Sequence, residues 1–293
     1  MQLGICLFSG ICLIILGMKR HPLLIAFVIL GRAVCAGGAD SASAAGPSAV
    51  AVMESDGLKF LKGACHVFSA PVRWNGSDWL TLGAAGVGTA AVGGLDIDGR
   101  LFMQRHQTPG NSDLARAAEQ YGAGLNMIVL SAGGYIAGLA LDERWVRETS
   151  FLAGSAIAIA GAISTVTKVL VGRARPYTER GHLSFEPFSL PLVDVASFPS
   201  GHTIVAFAFS GVLAERIKNT WASIGLYGLA AACGVSRMYT DEHWVSDVFF
   251  GAILSVSVSH SLVRWFESGE DSSCQSGLRI VPGAQTITLV WTF

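Results

Sequence analysis

Six long apolar segments dominate the middle of this chain and restrict what it can fold into. They cover residues 79–95, 122–141, 151–171, 203–216, 222–239 and 246–265, and Ala, Leu and Gly are frequent in most of them. Each segment has the length of a helix, and the alternation typical of half-buried strands is weak there. Short polar stretches such as DERWVRETS separate some of the segments. The sequence therefore predicts an all-α protein with a six-helix bundle.

The same segments indicate a membrane. The chain is 51% hydrophobic and only 14% charged, and its mean hydropathy is +0.50. Several segments approach the roughly 20 residues that a membrane span needs, and their small residues would let helices pack closely in lipid. We expect a membrane-embedded bundle. A soluble periplasmic bundle with buried helices is the alternative.

The two ends of the chain differ from the bundle. Two apolar runs flank MKRHP, and the second precedes an Ala-Ser-Ala motif at 42–44. This order is typical of an export signal, so residues 1–44 are predicted to be a signal peptide or an N-terminal membrane anchor. Residues 45–78 form an amphipathic segment and residues 79–265 the helical domain. Residues 266–293 are predicted to be a polar loop and a short β-hairpin, because apolar residues alternate in TITLVWTF.

Charge and cysteine content exclude several classes of protein. The net charge of −1 offers no basic surface for nucleic acid. The six cysteines form no CxxC pair, and the spacings typical of metal ligands are missing, so no metal site is expected. Cys65 and Cys274 could pair in an oxidising compartment, but their spacing does not decide this.

Charged residues are scarce, yet three short stretches concentrate them. In the first, KVLVGRARP, Lys168 and Arg175 stand at the polar end of an apolar segment. A lysine and an arginine there suit phosphate, the lysine as a point charge and the arginine as a fork. The alternative is a basic flank at a membrane boundary. Arg173 fits that alternative, and we leave it out of the predicted site.

The second stretch, SFPSGH, is a turn followed directly by an apolar helix. Ser200 stands near the start of this helix, where free N–H groups and the helix dipole attract anions. Gly201 allows a ligand to approach the backbone, and His202 stands beside any bound anion. The alternative is an ordinary serine cap with an unrelated histidine.

The third stretch is SRMYTDEHWVSD. His243 and Asp247 are spaced to share one face of a helix. The carboxylate can then accept the imidazole Nδ1–H, which leaves Nε2 free to react. Asp241 and Glu242 are interpreted as loop charges near the substrate. A surface histidine–aspartate pair is the alternative.

Together the three stretches give K-x6-RP, PSGH and SR-x5-H-x3-D, in that order. This set resembles the signature of the type 2 phosphatidic acid phosphatase and vanadium haloperoxidase superfamily. The motifs span residues 168–247, and the helical pattern extends the resemblance over about 79–265. Every signature position matches, at Lys168, Arg175, Pro176, Pro199, Ser200, Gly201, His202, Ser236, Arg237, His243 and Asp247.

The resemblance implies a metal-independent phosphatase that works through a phosphohistidine. It makes His243 the nucleophile, Asp247 its orienting carboxylate and His202 the general acid. It also implies that no cofactor is needed and that vanadate binds as a phosphate analogue. The phosphate would be held by Lys168, Arg175, Ser200, the N–H of Gly201, and Arg237.

The apolar surroundings of the motifs favour a lipid phosphate as the substrate. The family suggests phosphatidic acid, phosphatidylglycerol phosphate, undecaprenyl diphosphate or a lipid A phosphate. We expect a location in the bacterial inner membrane with a periplasm-facing site, and the sequence does not indicate an oligomeric state. A soluble periplasmic acid phosphatase, a vanadium-dependent haloperoxidase and a protein with a vestigial site are the alternatives.

The remaining polar residues are given structural roles. Trp244 is interpreted as a packing or interfacial aromatic residue. Asp96, Asp98 and Arg100 are expected to cap a helix end. The histidines outside the motifs lack partners at useful spacing, namely His66, His106, His182 and His260.

Overall fold

A computed structural model describes residues 48–189 and 194–269 with their side chains, together with the backbone of five short strands. The predicted cleavage motif at 42–44, the loop at 270–277 and Cys274 lie outside the described residues. The chain divides into two compact units, Met1–Ser48 and Ala49–Phe293. The first contains an antiparallel sheet of β1 (Leu3–Phe8), β2 (Ile11–Leu16) and β3 (Ala26–Leu30). Its role as a signal peptide or anchor stays a prediction.

The second unit is helical. One 3-10 turn, Pro176–Thr178, follows α7. The α-helices of the described residues are α1 (Ala49–Phe68), α2 (Ala70–Arg73), α3 (Gly76–Gly93), α4 (Asp96–Arg105), α5 (Pro109–Gln120), α6 (Gly124–Ala140), α7 (Arg144–Val171), α8 (Gly201–Ile217), α9 (Thr220–Tyr239) and α10 (Val245–Ser268).

The all-α prediction is confirmed, with differences in detail. The six predicted helices correspond to α3 and α6–α10. The prediction that DERWVRETS separates two helices is wrong, because α7 already begins at Arg144. The polar residues from Arg144 onward form the first turns of α7. They are stabilised within the helix, since Arg144 Nε donates to Glu148 Oε1 at 2.6 Å. Four further helices of the described residues were not predicted. α1 and α2 lie in the segment 45–78, which was predicted only as amphipathic, and the polar composition of α4 and α5 hides them from a search for apolar segments.

The C-terminal segment has extended backbone in β4 (Leu278–Pro282) and β5 (Ile287–Trp291), which pair antiparallel. This pairing alone does not establish the predicted hairpin tail. The hairpin and its packing on the bundle stay predictions.

The core lies around α7, which packs against α6, α8 and α10. Its fully buried side chains include Leu152, Ile159, Ile204 and Leu262. Small residues bring the helices close together. A Cβ atom on Gly138 of α6 would lie only 2.4 Å from the backbone N of Arg147 on α7, so only glycine permits this approach.

The motif residues gather at one end of the bundle, which we call the motif end. It contains the C-termini of α7 and α9 and the N-termini of α8 and α10. The opposite end contains a separate ionic cluster, in which Arg216 bridges Glu148 and Glu267, each at 3.3 Å. At that end α1 also packs on α10, since a Cβ atom on Gly63 would lie 2.8 Å from Leu262.

The helices have the character of a membrane bundle. By length and composition, α7 and α10 qualify as spans. The pairs α3/α4 and α5/α6, bent by 50° and 45°, bring the number to four if each pair counts as one span. Large apolar side chains also point outward from the bundle, including Leu80, Leu125 and Trp221. Such a surface is typical of helices that face lipid.

Candidate active site

His243 lies in the loop before α10, not on the helix, so the prediction that it shares a helical face with Asp247 is wrong. The ring is buried, with 4% of the residue exposed. Its Nδ1 lies 2.7 Å from the carbonyl oxygen of Ser197 and 3.8 Å from Asp247 Oδ2. The backbone carbonyl, rather than the carboxylate, therefore accepts the Nδ1–H. This contact leaves Nε2 with a free lone pair.

Asp247 lies beside this histidine and accepts several hydrogen bonds. It is fully buried, and its Oδ2 accepts hydrogen bonds from Ser197 Oγ at 2.5 Å and from the Trp244 N–H at 2.8 Å. Trp244 is itself buried and donates from Nε1 to the Ala174 carbonyl at 2.9 Å, which agrees with its predicted packing role. Asp247 thus fixes the loop that carries His243 and caps the first turn of α10.

Arg173 contradicts the interpretation that it is a basic flank. Only 4% of the residue is exposed. Its NH1 donates to Asp247 Oδ1 and its NH2 to Asp96 Oδ2, both at 2.6 Å. A buried carboxylate needs such a partner. Arg173 therefore belongs to the support of the predicted nucleophile.

Asp96 caps a helix, as expected, but a distant one. Its Oδ1 accepts the backbone N–H of Ser246 at 2.9 Å, and its Oδ2 accepts the Ser246 hydroxyl at 2.8 Å. The capped helix is α10, 150 residues away in sequence. Arg100 also has a tertiary partner, since its guanidinium pairs with Asp241 at 2.7 and 2.8 Å.

Lys168 anchors the SFPSGH stretch. Its Nζ donates to the carbonyl oxygens of Ala196 and Pro199, at 2.5 and 2.6 Å. The Ser200 N–H donates to the Asp247 carbonyl at 3.2 Å, and the buried Ser200 hydroxyl accepts from Thr203 at 2.8 Å. These bonds join the first and second motifs to the N-terminus of α10.

Two arginines of the site are each paired with a glutamate, and Glu242 joins them, since it pairs with Arg175 and lies 3.8 Å from Arg237 NH2. Arg237 NH1 lies 2.6 Å from Glu119 Oε1, and Arg175 NH1 pairs with Glu242. The Nε atoms of both arginines are buried and have no hydrogen-bond partner among the described residues. Glu242 is therefore more than a loop charge. Glu119 was not predicted, since it belongs to none of the motifs.

His202 lies on the exposed side of the site. One third of its side chain is exposed, and its Nε2 lies 3.6 Å from Glu119 Oε1. A Cβ atom on the neighbouring Gly201 would have no heavy atom within 4 Å, so the backbone is open to a ligand there. This open space lies at the N-terminus of α8, which favours an anion.

Burial and charge separate the two histidines. Burial lowers the pKa of His243 to about 4, with Lys168 and Arg175 contributing and Asp247 opposing. The imidazole is therefore neutral near pH 7. Burial also lowers the pKa of His202, and Arg237 adds to this effect, whereas Glu119 and Glu242 raise it.

This arrangement has the parts for transfer of an anionic group. A neutral imidazole with a free Nε2, three cationic side chains, an open helix N-terminus and a second histidine surround one space. Within residues 48–189 and 194–269, no group of three His, Cys, Asp or Glu side chains is arranged to hold a metal ion.

Comparison with known families agrees with the motifs. Residues 150–269 match the family described as the PAP2 superfamily. A stretch of 64 residues, 21% of this chain, is 39% identical to the lipid A 1-phosphatase of Porphyromonas gingivalis. That stretch spans only 14% of the length of the relative.

Two solved membrane-protein structures resemble the chain more distantly. The transmembrane PAP2 type phosphatidylglycerolphosphate phosphatase from Bacillus subtilis is 20% identical, with a TM-score of 0.46 over 75% of this chain and 98% of that chain. LpxE from Aquifex aeolicus is 20% identical, with a TM-score of 0.44 over 58% of this chain and 95% of that chain. Likeness at this level does not indicate an activity.

Proposed function

We propose that this chain, whose residues 150–269 form a PAP2 superfamily domain, is a lipid phosphate phosphatase with a histidine nucleophile. One observation carries the proposal. The three separated motifs converge on a single space at the motif end, where Lys168, Ser200 and Asp247 are linked through hydrogen bonds of the SFPSGH stretch. His202 and Arg237 share Glu119 as a partner, and Arg237 and Arg175 share Glu242.

In the first step, His243 Nε2 attacks phosphorus while the bond from phosphorus to the leaving oxygen breaks. The ring becomes a cation that keeps its Nδ1–H on the Ser197 carbonyl and lies 3.8 Å from the Asp247 carboxylate. His202, as the imidazolium, donates its proton to the leaving alcohol oxygen. Lys168, Arg175, Arg237 and the N-terminus of α8 balance the charge on the phosphoryl oxygens.

In the second step, water attacks the phosphohistidine. His202, now neutral, takes a proton from this water, and His243 leaves as the neutral imidazole with phosphate as the product. Every proton transfer in this scheme uses a side chain of the protein, and we propose that no metal ion takes part.

An open apolar pocket beside the buried half of the site agrees with a lipid as the alcohol, although none of its described lining residues is a predicted catalytic or phosphate-binding residue. It has a volume of about 470 Å³ and lies between α3, the start of α10 and the loop after α7. It borders the buried Arg173–Asp96 pair, and its apolar lining includes Ala90, Phe198 and Phe250. A chain of CH₂ groups buried there gains roughly 0.8 kcal/mol for each group. Phosphatidic acid, phosphatidylglycerol phosphate, undecaprenyl diphosphate and lipid A phosphates all carry such chains.

We further propose an inner-membrane location with the site facing the periplasm. The export-type leader supports this location. The fold adds a condition, because α1 packs at the end of the bundle opposite the motif end. A periplasmic site therefore needs α1 near the cytoplasmic face.

The test is phosphate release from phosphatidic acid in detergent with excess EDTA. We expect release by the intact protein, and a loss of at least about 10³-fold in His243→Ala because the nucleophile is gone. His260→Ala is the matched control, since this exposed histidine of α10 pairs only with Glu215 at 2.8 Å in the described chain. Release that needs a metal, or that survives in His243→Ala, would overturn the proposal.

A further inference from the structure

Glu119 is an acidic residue in an unfavourable position. It lies in the last turn of α5, where the helix dipole disfavours a negative charge. None of the three motifs contains it. Its carboxylate nevertheless points into the site, where Oε1 lies 2.6 Å from Arg237 NH1 and 3.6 Å from His202 Nε2. Such a placement calls for a role beyond helix formation.

The backbone fixes this placement. The chain bends by 45° between α5 and α6, at Gly122. A Cβ atom on Gly122 would lie 2.5 Å from the carbonyl oxygen of His202 and 2.3 Å from Cys233 Sγ. Only glycine therefore allows the end of α5 to pack directly on the backbone of His202. Arg237 then holds the carboxylate in place from α9.

The charges around His202 come from each element packed on it. Arg237 on α9 and Arg175 after α7 disfavour the imidazolium, whereas Glu119 on α5 and Glu242 before α10 favour it. Cys233 contacts only the His202 backbone, through its carbonyl oxygen at 3.9 Å. Among these groups, Glu119 has the carboxylate that lies within ion-pair distance of the ring. Without Glu119, Glu242 would be the remaining carboxylate of this set to offset the two arginines beside a cationic histidine.

We propose that Glu119 is the positioning residue of the general acid, holding His202 as an imidazolium aimed at the leaving oxygen. This inference rests on the proposed function. Glu119 keeps its negative charge throughout. His202 gives its proton to the leaving alcohol as the bond from phosphorus to oxygen breaks, and regains one from water when the phosphohistidine is hydrolysed.

The test uses the dependence on the leaving group. An alkyl phosphate such as hexyl phosphate has a poor leaving group and needs the acid, whereas p-nitrophenyl phosphate has a good one and needs it little. Glu119→Gln keeps the shape and the oxygen that contacts Arg237 but removes the charge. We expect kcat on hexyl phosphate to fall about ten-fold or more and kcat on p-nitrophenyl phosphate to change less than about three-fold.

Three further variants sharpen the result. His202→Ala should give the same selectivity with a larger loss. Glu119→Asp should restore part of the activity on hexyl phosphate. Glu267→Gln is the matched control, because Glu267 pairs with Arg216 at the opposite end of the bundle, and its effect should not depend on the leaving group.

Equal losses on both substrates in Glu119→Gln, or a change confined to KM, would overturn the role of Glu119, because a purely structural clamp on Arg237 predicts that pattern. Leaving-group selectivity in His202→Ala alone would also overturn it, while the proposed function stands. If the intact protein released no phosphate from either substrate, the proposed function and this inference would fail together.

Discussion

The two halves of the site are built differently. The half that contains His243 is buried, and Asp247, Arg173 and Asp96 bond one another there without access to solvent. The half that contains His202 is open, and its arginines hold glutamates, which a phosphate bound as proposed would displace. A nucleophile benefits from a fixed position before the substrate arrives. A cradle for an anion instead needs partners that can be exchanged.

The largest effect is expected from a substitution in the buried half of the site, which contains His243. Arg173→Met removes the charge that Asp96 and Asp247 share, and the loss of one partner from such a buried group costs about 3–5 kcal/mol. We expect a clear fall in the temperature of thermal unfolding in detergent, together with loss of phosphate release. Arg180→Met is the control, because Arg180 and Glu186 are both exposed and their pair is worth at most about 1 kcal/mol. Equal effects of the two variants would contradict the contrast between the halves.

The pH dependence of kcat/KM distinguishes the two halves through their histidines, and its effect is smaller. His243 must be neutral to attack, and its pKa of about 4 makes it ready above that pH. His202 must be protonated to donate, and its lowered pKa means that kcat/KM falls as the pH rises through a value below 6.5. We therefore expect a bell-shaped profile of kcat/KM with an acidic optimum. A flat profile between about pH 5 and 8 would contradict this pairing of the histidines.

Burial of His243 also affects stability. The unfolded chain binds a proton at this histidine below about pH 6.5, whereas the folded protein does so only near pH 4. The free energy of unfolding should therefore decrease as the pH falls through this window. Thermal unfolding of His243→Gln should lack that part of the pH dependence. An identical pH dependence in the variant would show that His243 is not the group responsible.

The smallest effect concerns the open half. Glu242→Gln removes the negative charge that occupies Arg175, so inorganic phosphate should bind about three- to ten-fold more tightly as a competitive inhibitor. The inhibition constant at fixed pH measures this change. An unchanged or weaker inhibition by phosphate would mean that the glutamate does not compete with the anion.

Sequence patterns were informative about the parts of the site that lie close together along the chain. The spacings within the three motifs were enough to single out His243, His202 and the cations Lys168, Arg175 and Arg237 as candidates. They could not identify the partners of these residues. In the sequence, Arg173 looks like any basic residue that follows a membrane helix. Its burial against Asp96 and Asp247 is what shows that it supports the site instead. Glu119 had no such signal, because α5 was not predicted and Glu119 belongs to none of the motifs.

The sequence by itself determined the helical class, the apolar character of the bundle and the choice of candidate motif residues, because these depend on periodicity, composition and short spacings. Only the tertiary structure decided that the Ser197 carbonyl holds His243, that Asp96 caps α10, and that Glu119 faces His202. These contacts join residues 46 to 150 positions apart. They form because the helices pack closely enough to bring distant polar groups into one buried space, and no local pattern records that packing.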